Sequence, residues 1–266
     1  MIDERELFRL YRRIDTLERW VSDQKRLGPA YKGVLADFMY LPYLRGFWPM
    51  AAINESSQII DYSHQARHLT INGGTGLTES SNNNHWYVDC NGTTQYLSRA
   101  DEAGLDITNG YLTMGGWVWR DTDGAFERFI NKANNTGNQR AYRILRNAAA
   151  GVAGVWAFEI SSNGTATTYA LATSNTPTGA WEFVVARITA STEMSLFINN
   201  TKYTNTTSIP AAIFNSSAEF RIGADSGGTA FLDGRVALCF LTNSALSDAT
   251  IYNLYTRTWP IFANAT

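Results

Sequence analysis

The chain has 266 residues and a formal net charge of −2; 44% of its residues are hydrophobic and 17% are charged. A near-neutral chain offers no electrostatic footprint for nucleic acid, no apolar run approaches the roughly 18 residues of a membrane span, and two cysteines are too few for a disulfide-stapled scaffold. Eight Trp, 13 Tyr and 13 Phe suit strands and aromatic contact surfaces.

Charge gathers at the start, where residues 1–45 hold 16 of the 46 Asp, Glu, Lys and Arg residues. A helix is expected over residues 1–27, capped by Asp3 with Glu6 three positions on and stopped by Gly28 and Pro29. Leu7, Leu10, Ile14, Leu17 and Val21 follow a 3-4-3-4 spacing, with Leu7, Ile14 and Val21 at a and Leu10 and Leu17 at d. Within RIDTLE, Arg13 falls at g and Glu18 at e, so Arg13 can reach Glu18 of a neighbouring chain while its stem covers the Ile14–Leu17 layer. That hexad resembles a short trimerisation motif of parallel coiled coils, whereas Ile at a with Leu at d favours two strands. A homotrimer is the expected state, with a dimer second and a helix folded back on its own body third.

Residues 28–50 are expected to be an aromatic neck carrying Tyr31, Phe38, Tyr40, Tyr43, Phe47 and Trp48. So many rings would not stay in water as a flexible linker. They either pack on the base of the body or fill a docking interface.

From residue 51 to 258 apolar runs alternate with turn chemistry. Met194, Leu196 and Ile198 alternate with Ser195, Phe197 and Asn199, and Phe220, Ile222 and Ala224 with Glu219, Arg221 and Gly223; period two marks strands with one buried face. Further runs lie at 111–121, 126–133, 155–161, 181–190 and 234–242, broken by loops such as NGG, NNTGN, SNG and DSGG. A short helix is expected at 248–257 after Ser247 as its cap, and 259–266 as a tail. Many short strands at fairly regular spacing predict a mainly β sandwich or jelly roll. Cys90 and Cys239 sit in or beside such runs and are expected as free buried thiols.

Specific segments carry a family likeness. GFWPM at 46–50, DYSHQARHLTINGG at 61–74, the Gly-Trp strand within 91–121, the hairpin within 179–200 and the closing strands at 220–255 with Phe231–Gly234 resemble laminin-G-like, concanavalin A-like domains. The likeness covers roughly residues 46–258 and implies a two-sheet jelly roll behind the coiled-coil stalk. Asn199-Asn200 stands where the family usually has Asn-Gly. The fold serves lectins, adhesion modules, glycosidases and virion proteins alike, so it does not fix a function.

No catalytic constellation emerges. The glycosidases of this fold need two carboxylates flanking one sugar bond, and Glu159 and Glu193 each stand alone. His64 and His68 have the spacing of a zinc helix but lack its glutamate, since Gln65 occupies that place. Asp121 and Asp123 resemble part of a calcium ligand set, yet two carboxylates fall short of six to eight oxygens. No cofactor is expected, calcium being the one candidate. Asn91, Asn163 and Asn205 open Asn-x-Ser/Thr triplets and are read as products of composition. Trp86, Trp117, Trp119, Trp156, Trp181 and Trp259 form the pool from which a sugar surface would be drawn.

A charged opening without an export signal, a self-associating helix and a lectin-like body together resemble bacteriophage virion proteins. The expectation is a non-enzymatic virion component assembled in the host cytoplasm: capsid decoration, head fibre or tail appendage. Its partners would be a major capsid or tail protein and host surface glycans, with no nucleic acid and no membrane. The alternatives are a cellular carbohydrate-binding or adhesion module and a glycosidase of the same fold.

Overall fold

In the computed structural model the described residues are 29–80, 85–123, 126–146, 154–173 and 176–263. The expected stalk, residues 1–27 with Leu7, Leu10, Arg13, Ile14, Leu17, Glu18 and Val21, lies outside them. In chain order come helix α1 (Pro29–Met39), β1 (Leu44–Trp48), β2 (Gln58–Ile59), β3 (Leu69–Asn72), β4 (Leu77–Glu79), β5 (Trp86–Asn91) and β6 (Tyr96–Arg99). Next are β7 (Tyr111–Arg120), β8 (Glu127–Asn134), β9 (Gln139–Arg146), β10 (Trp156–Ile160), β11 (Thr168–Leu171) and β12 (Trp181–Thr189). The chain closes with β13 (Glu193–Ile198), β14 (Thr201–Asn205), β15 (Phe220–Ile222), β16 (Asp233–Thr242) and α2 (Asp248–Phe262).

Two antiparallel sheets face each other. The first runs β14-β13-β12-β7-β16-β5-β4, with β1 also on β16; the second runs β11-β10-β9-β8-β15-β6-β3-β2. One core fills the space between them, drawing on Leu112, Met114 and Val184 from the first sheet and Ile130, Ile144 and Phe158 from the second. Gly115 lets β12 close on β7: a Cβ there would sit 2.3 Å from the Val184 carbonyl oxygen. Both cysteines are free and buried. Burial, with the nearby Asp89 carboxylate, pushes the Cys90 thiol up to about 12, and burial likewise raises Cys239, so both stay protonated.

A second apolar layer covers the outer face of the first sheet, and the segment expected as a neck builds it. Tyr31, Val34, Leu35 and Phe38 recur at helical spacing and are buried, so residues 29–39 form a helix with Pro29 in its first turn. Phe38 stacks on Phe47 (centroids 5.0 Å, 6° between planes) and meets Phe240 edge-on at 5.4 Å. Tyr31, Phe38 and Phe47 are thus built into this layer and Trp48 into the core between the sheets, where it lies 5.2 Å from Phe220; Tyr40 (84% exposed) and Tyr43 (74% exposed) are the two neck rings at the surface.

The C-terminal helix also exceeds its expected bounds. Ser247 caps it, its side chain accepting from the Thr250 amide at 3.1 Å. It runs through Pro260 to Phe262, so residues 259–262 are its last turn and not a tail. The apolar stripe of Ile251, Leu254, Ile261 and Phe262 explains this: Phe262 lies flat on Trp117 (4.5 Å, 12°), and the Trp117 indole N–H donates to Thr258 at 2.9 Å.

Candidate functional site

The register brings distant residues to one corner of the first sheet. On its outer face Tyr87 (β5), Arg235 (β16) and Trp119 (β7) stand side by side, because Asp89 pairs with Arg235 and Arg235 with Trp119. The Arg235 guanidinium lies 5.2 Å from the Tyr87 ring centre and 4.9 Å from that of Trp119, a cation held between two aromatic faces. Trp119 and Tyr87 remain half-exposed.

Where these strands reach the rim, a pocket of about 380 Å³ opens, lined by Thr75, Thr78, Asp89, Gln95, Asp121 and Asp233 among others. Partial burial raises the Asp89 carboxyl above its ordinary value; Arg235 pulls it down, and Asp121 and Asp233 push it up. The floor is pinned through backbone and side chains. The Asp121 amide donates to the Asp233 carbonyl at 2.9 Å, the Thr122 hydroxyl to the Asp233 carboxylate at 2.7 Å, and the Trp119 indole N–H to Asp121 at 2.9 Å. Half-exposed rings beside fixed carboxylate acceptors are the groups that hold a polyhydroxylated ring, whose C–H face stacks and whose hydroxyls donate.

Behind this corner a charged cluster sits between the sheets. Arg120 Nε is 3.7 Å from Glu182 and its Nη1 is 3.9 Å from Glu127; Arg146 is 3.6 Å from Glu127, and both arginines reach Asp123. Glu182 accepts from the Trp156 indole and the Thr176 hydroxyl, each at 3.1 Å, yet burial still holds its carboxyl above the ordinary range. Sequence spacing did not bring Glu127 and Glu182 together. Both are buried among cations rather than facing an open cleft, so their role is to tie the sheets and the 121–123 turn that carries Asp121.

The other sequence candidates are placed as follows. Asp121 and Asp123 diverge, the first to Trp119 and the second to Arg120 and Arg146. Among the described residues no group of three or more His, Cys, Asp or Glu is placed to hold a metal ion. His64 and His68 belong to a turn around Asp61, whose carboxylate accepts from the amides of Phe47, Ser63 and Arg67; His68 Nδ1 accepts from the Asp61 amide at 3.0 Å. Glu159 pairs with Arg143 at 2.7 Å, and Glu193 with Arg187 and Lys202. Asn91, Asn163 and Asn205 each accept the amide two residues on, so these triplets are side-chain-closed turns. Of the tryptophan pool Trp117, Trp156 and Trp181 are buried, Trp86 and Trp119 half-buried and Trp259 exposed.

Two twisted sheets around one core, with an aromatic and carboxylate corner at the rim, define a sandwich of the lectin type. The chain belongs to the Laminin_G_3 family of the Concanavalin A-like lectin/glucanases superfamily, which residues 91–252 match. No match was found among curated proteins. Among solved structures it is similar to domain 4 of AbnA, a GH43 extracellular arabinanase from Geobacillus stearothermophilus, in complex with arabinotriose (TM-score 0.61, 16% identity, 80% of this chain and 98% of that one). It is also similar to the binding domain of Paraclostridial Mosquitocidal Protein 1 (0.59, 12%, 80% and 52%) and to that of botulinum neurotoxin DC in complex with SialylT (0.54, 12%, 81% and 51%). The chain aligns with about half the length of the two toxin domains. At these identities the likeness is one of fold.

Proposed function

We propose that the chain is a non-enzymatic glycan-binding protein that holds a sugar ring at the Trp119–Arg235–Tyr87 corner. The observation that carries this is the half-exposed Trp119 ring hydrogen-bonded to Asp121 at the mouth of a pocket with three carboxylate acceptors. Two solved structures of similar fold are complexes with arabinotriose and with SialylT, which supports a sugar as the ligand class. The setting we propose is a bacteriophage virion, with the chain as capsid decoration, head fibre or tail appendage. Residues 1–27 would join three copies and a capsid or tail protein would hold them. The heptads and the Arg13–Glu18 pair support that setting.

A glycan array probed with the full chain tests the binding, with Trp119→Ala as its control. Specific spots that fade at least tenfold in Trp119→Ala are the expected result; no spot above background, or an unchanged pattern in the variant, refutes it. Sedimentation of the full chain at micromolar concentration tests the assembly, with three times the 29.6 kDa chain mass expected and a monomer counting against it.

A further inference from the structure

Helix α2 lies on the outer side of the first sheet, and its two flanks differ. Arg257 pairs with Asp37 of α1 at 2.6 Å, so the flank that carries it faces the other helix. Tyr252, Tyr255 and Trp259, spaced three and four residues apart, line the opposite flank. Tyr252 is 52% exposed and Trp259 40%. The Tyr255 ring stands between them, 5.5 Å from Trp259 and 6.1 Å from Phe183 on the sheet below. At 1.5 Å of rise per residue the stripe from Tyr252 to Trp259 is about 10 Å long.

Each end of the stripe meets a different part of the sheet. At the C-terminal end Phe262 is 5.0 Å from Trp181, which lies 6.1 Å from Trp119 and 6.0 Å from Tyr87 of the corner. At the N-terminal end a cleft of about 320 Å³ opens between the first turn of α2 and the β13–β14 hairpin, lined by Phe197, Asn199, Asn200, Lys202, Asp248 and Tyr252 among others. Asn200, Lys202, Asp248 and Tyr252 are all exposed. The hairpin turn is pinned, since the Asn199 amide donates to the Phe183 carbonyl at 2.8 Å and its Oδ1 accepts from the Phe183 amide at 3.0 Å. Asn200, standing where the family usually has glycine, adds an amide to the rim. Lys202 pairs with Glu193 at 3.1 Å and with Asp248 at 3.0 Å, and Arg187 pairs with the same two carboxylates. Two cations balance two carboxylates, so the rim offers donors and acceptors without a net charge to attract an ion.

We propose that this cleft is a second sugar subsite, joined to the Trp119 corner by the stripe along α2, so that the ligand is a neutral linear oligosaccharide and not a single terminal sugar. The Tyr252 ring would take the C–H face of one residue, with its hydroxyls on the Asn200 amide and the Asp248 carboxylate; Trp259 would carry the residues between. Register gives the span. Phe197 pairs with Val185, four residues along and two strands across from Trp119, which places it about 16 Å away at 3.3 Å per residue and 4.8 Å per strand. One sugar ring cannot bridge that distance, whereas a chain of several can. The balanced rim selects an uncharged chain. That the ligand is a glycan rests on the corner reading above; the continuity of the aromatic track does not.

The test is an array printed with linear gluco-, manno-, xylo- and arabino-oligosaccharides of one to six residues, probed with the full chain. In at least one series the signal is expected to climb at least tenfold from two residues to six. Tyr252→Ala is expected to cut the six-residue signal at least fivefold while melting within about 2 °C of the parent, because the ring is half-exposed. Should that variant melt lower, Asn200→Gly, which restores the family's turn, decides in its place by the same fivefold loss. Tyr111→Ala removes an exposed ring at the far end of β7 from Trp119 and is expected to keep the full climb. A six-residue signal unchanged in the deciding variant overturns the proposal, as does an equal loss in Tyr111→Ala. Binding that is flat with length and lost in Trp119→Ala leaves the corner standing and sinks the track alone; no binding at any length sinks both.

Discussion

His85 gives the sharpest test of the electrostatics. It is buried beside the first sheet, 4.4 Å from the Phe262 ring and edge-on to Trp181 at 5.3 Å, and among the described residues neither ring nitrogen has a hydrogen-bond partner. Burial, aided by Arg235, lowers its pKa from 6.5 to about 4. The folded state therefore resists a proton that the unfolded chain accepts below about 6.5. Between these two values the unfolded state binds more protons, so stability rises with pH across the window. At about 1.4 kcal/mol per unit, acidification from pH 6.5 to 4 removes about 3 kcal/mol through this one side chain. Carboxylates titrate in the same window, so the informative quantity is the difference between the parent and His85→Leu. Urea midpoints followed by tryptophan fluorescence from pH 4 to 7 should show a shallower acid slope in the variant. At pH 7 the variant should be about as stable as the parent or about 1 kcal/mol more so, since it removes two unsatisfied buried nitrogens. Parallel slopes would refute the buried-neutral assignment.

Three further outcomes follow from the packing and charge. Phe38→Ala should cost about 3–5 kcal/mol in a denaturant titration, because the ring is fully buried between Phe47 and Phe240; a loss below about 1 kcal/mol would show that α1 is dispensable to the body. Arg120→Met should cost about 3–5 kcal/mol by taking the ion-pair partner from buried Glu182, and adding Glu182→Gln should recover part of the loss, whereas strict additivity of the two would rule out their coupling. Deleting residues 1–27 should convert the proposed trimer to a monomer in sedimentation while leaving the monomer's melting cooperative and the proposed monovalent sugar binding intact; an unchanged mass would place the association in the body instead.

What the sequence made legible was whatever local periodicity encodes. The alternation through Met194–Ile198 and the mixed run at 111–121 appear as β13 and β7 with bounds close to expectation. β9 stayed hidden because Arg140, Arg143 and Arg146 recur every third residue and mask the inward pair Tyr142 and Ile144. Gly28 and Pro29 read as a stop, whereas Pro29 opens a helix whose stripe of Tyr31, Leu35 and Phe38 gains its meaning only against Phe240. The candidate corner had no local signal at all. Asp89, Asp121 and Asp233 come from three segments, and only the β5–β16–β7 register makes them neighbours.

The two sheets divide the work of the molecule. Most of the first sheet's outer face is covered by α1 and α2, whose rings pack on Trp117, Phe183 and Phe240. A ligand can meet that sheet where the cover ends, as at Tyr87, Arg235 and Trp119. The chain enters the body at Pro29, on this covered side, since Tyr31 and Phe38 are built into it. The proposed stalk would therefore join the sandwich on the helical side. Copies gathered through their N-termini would display the Trp119 corners together, and linked sites of modest individual affinity gain most from being displayed together.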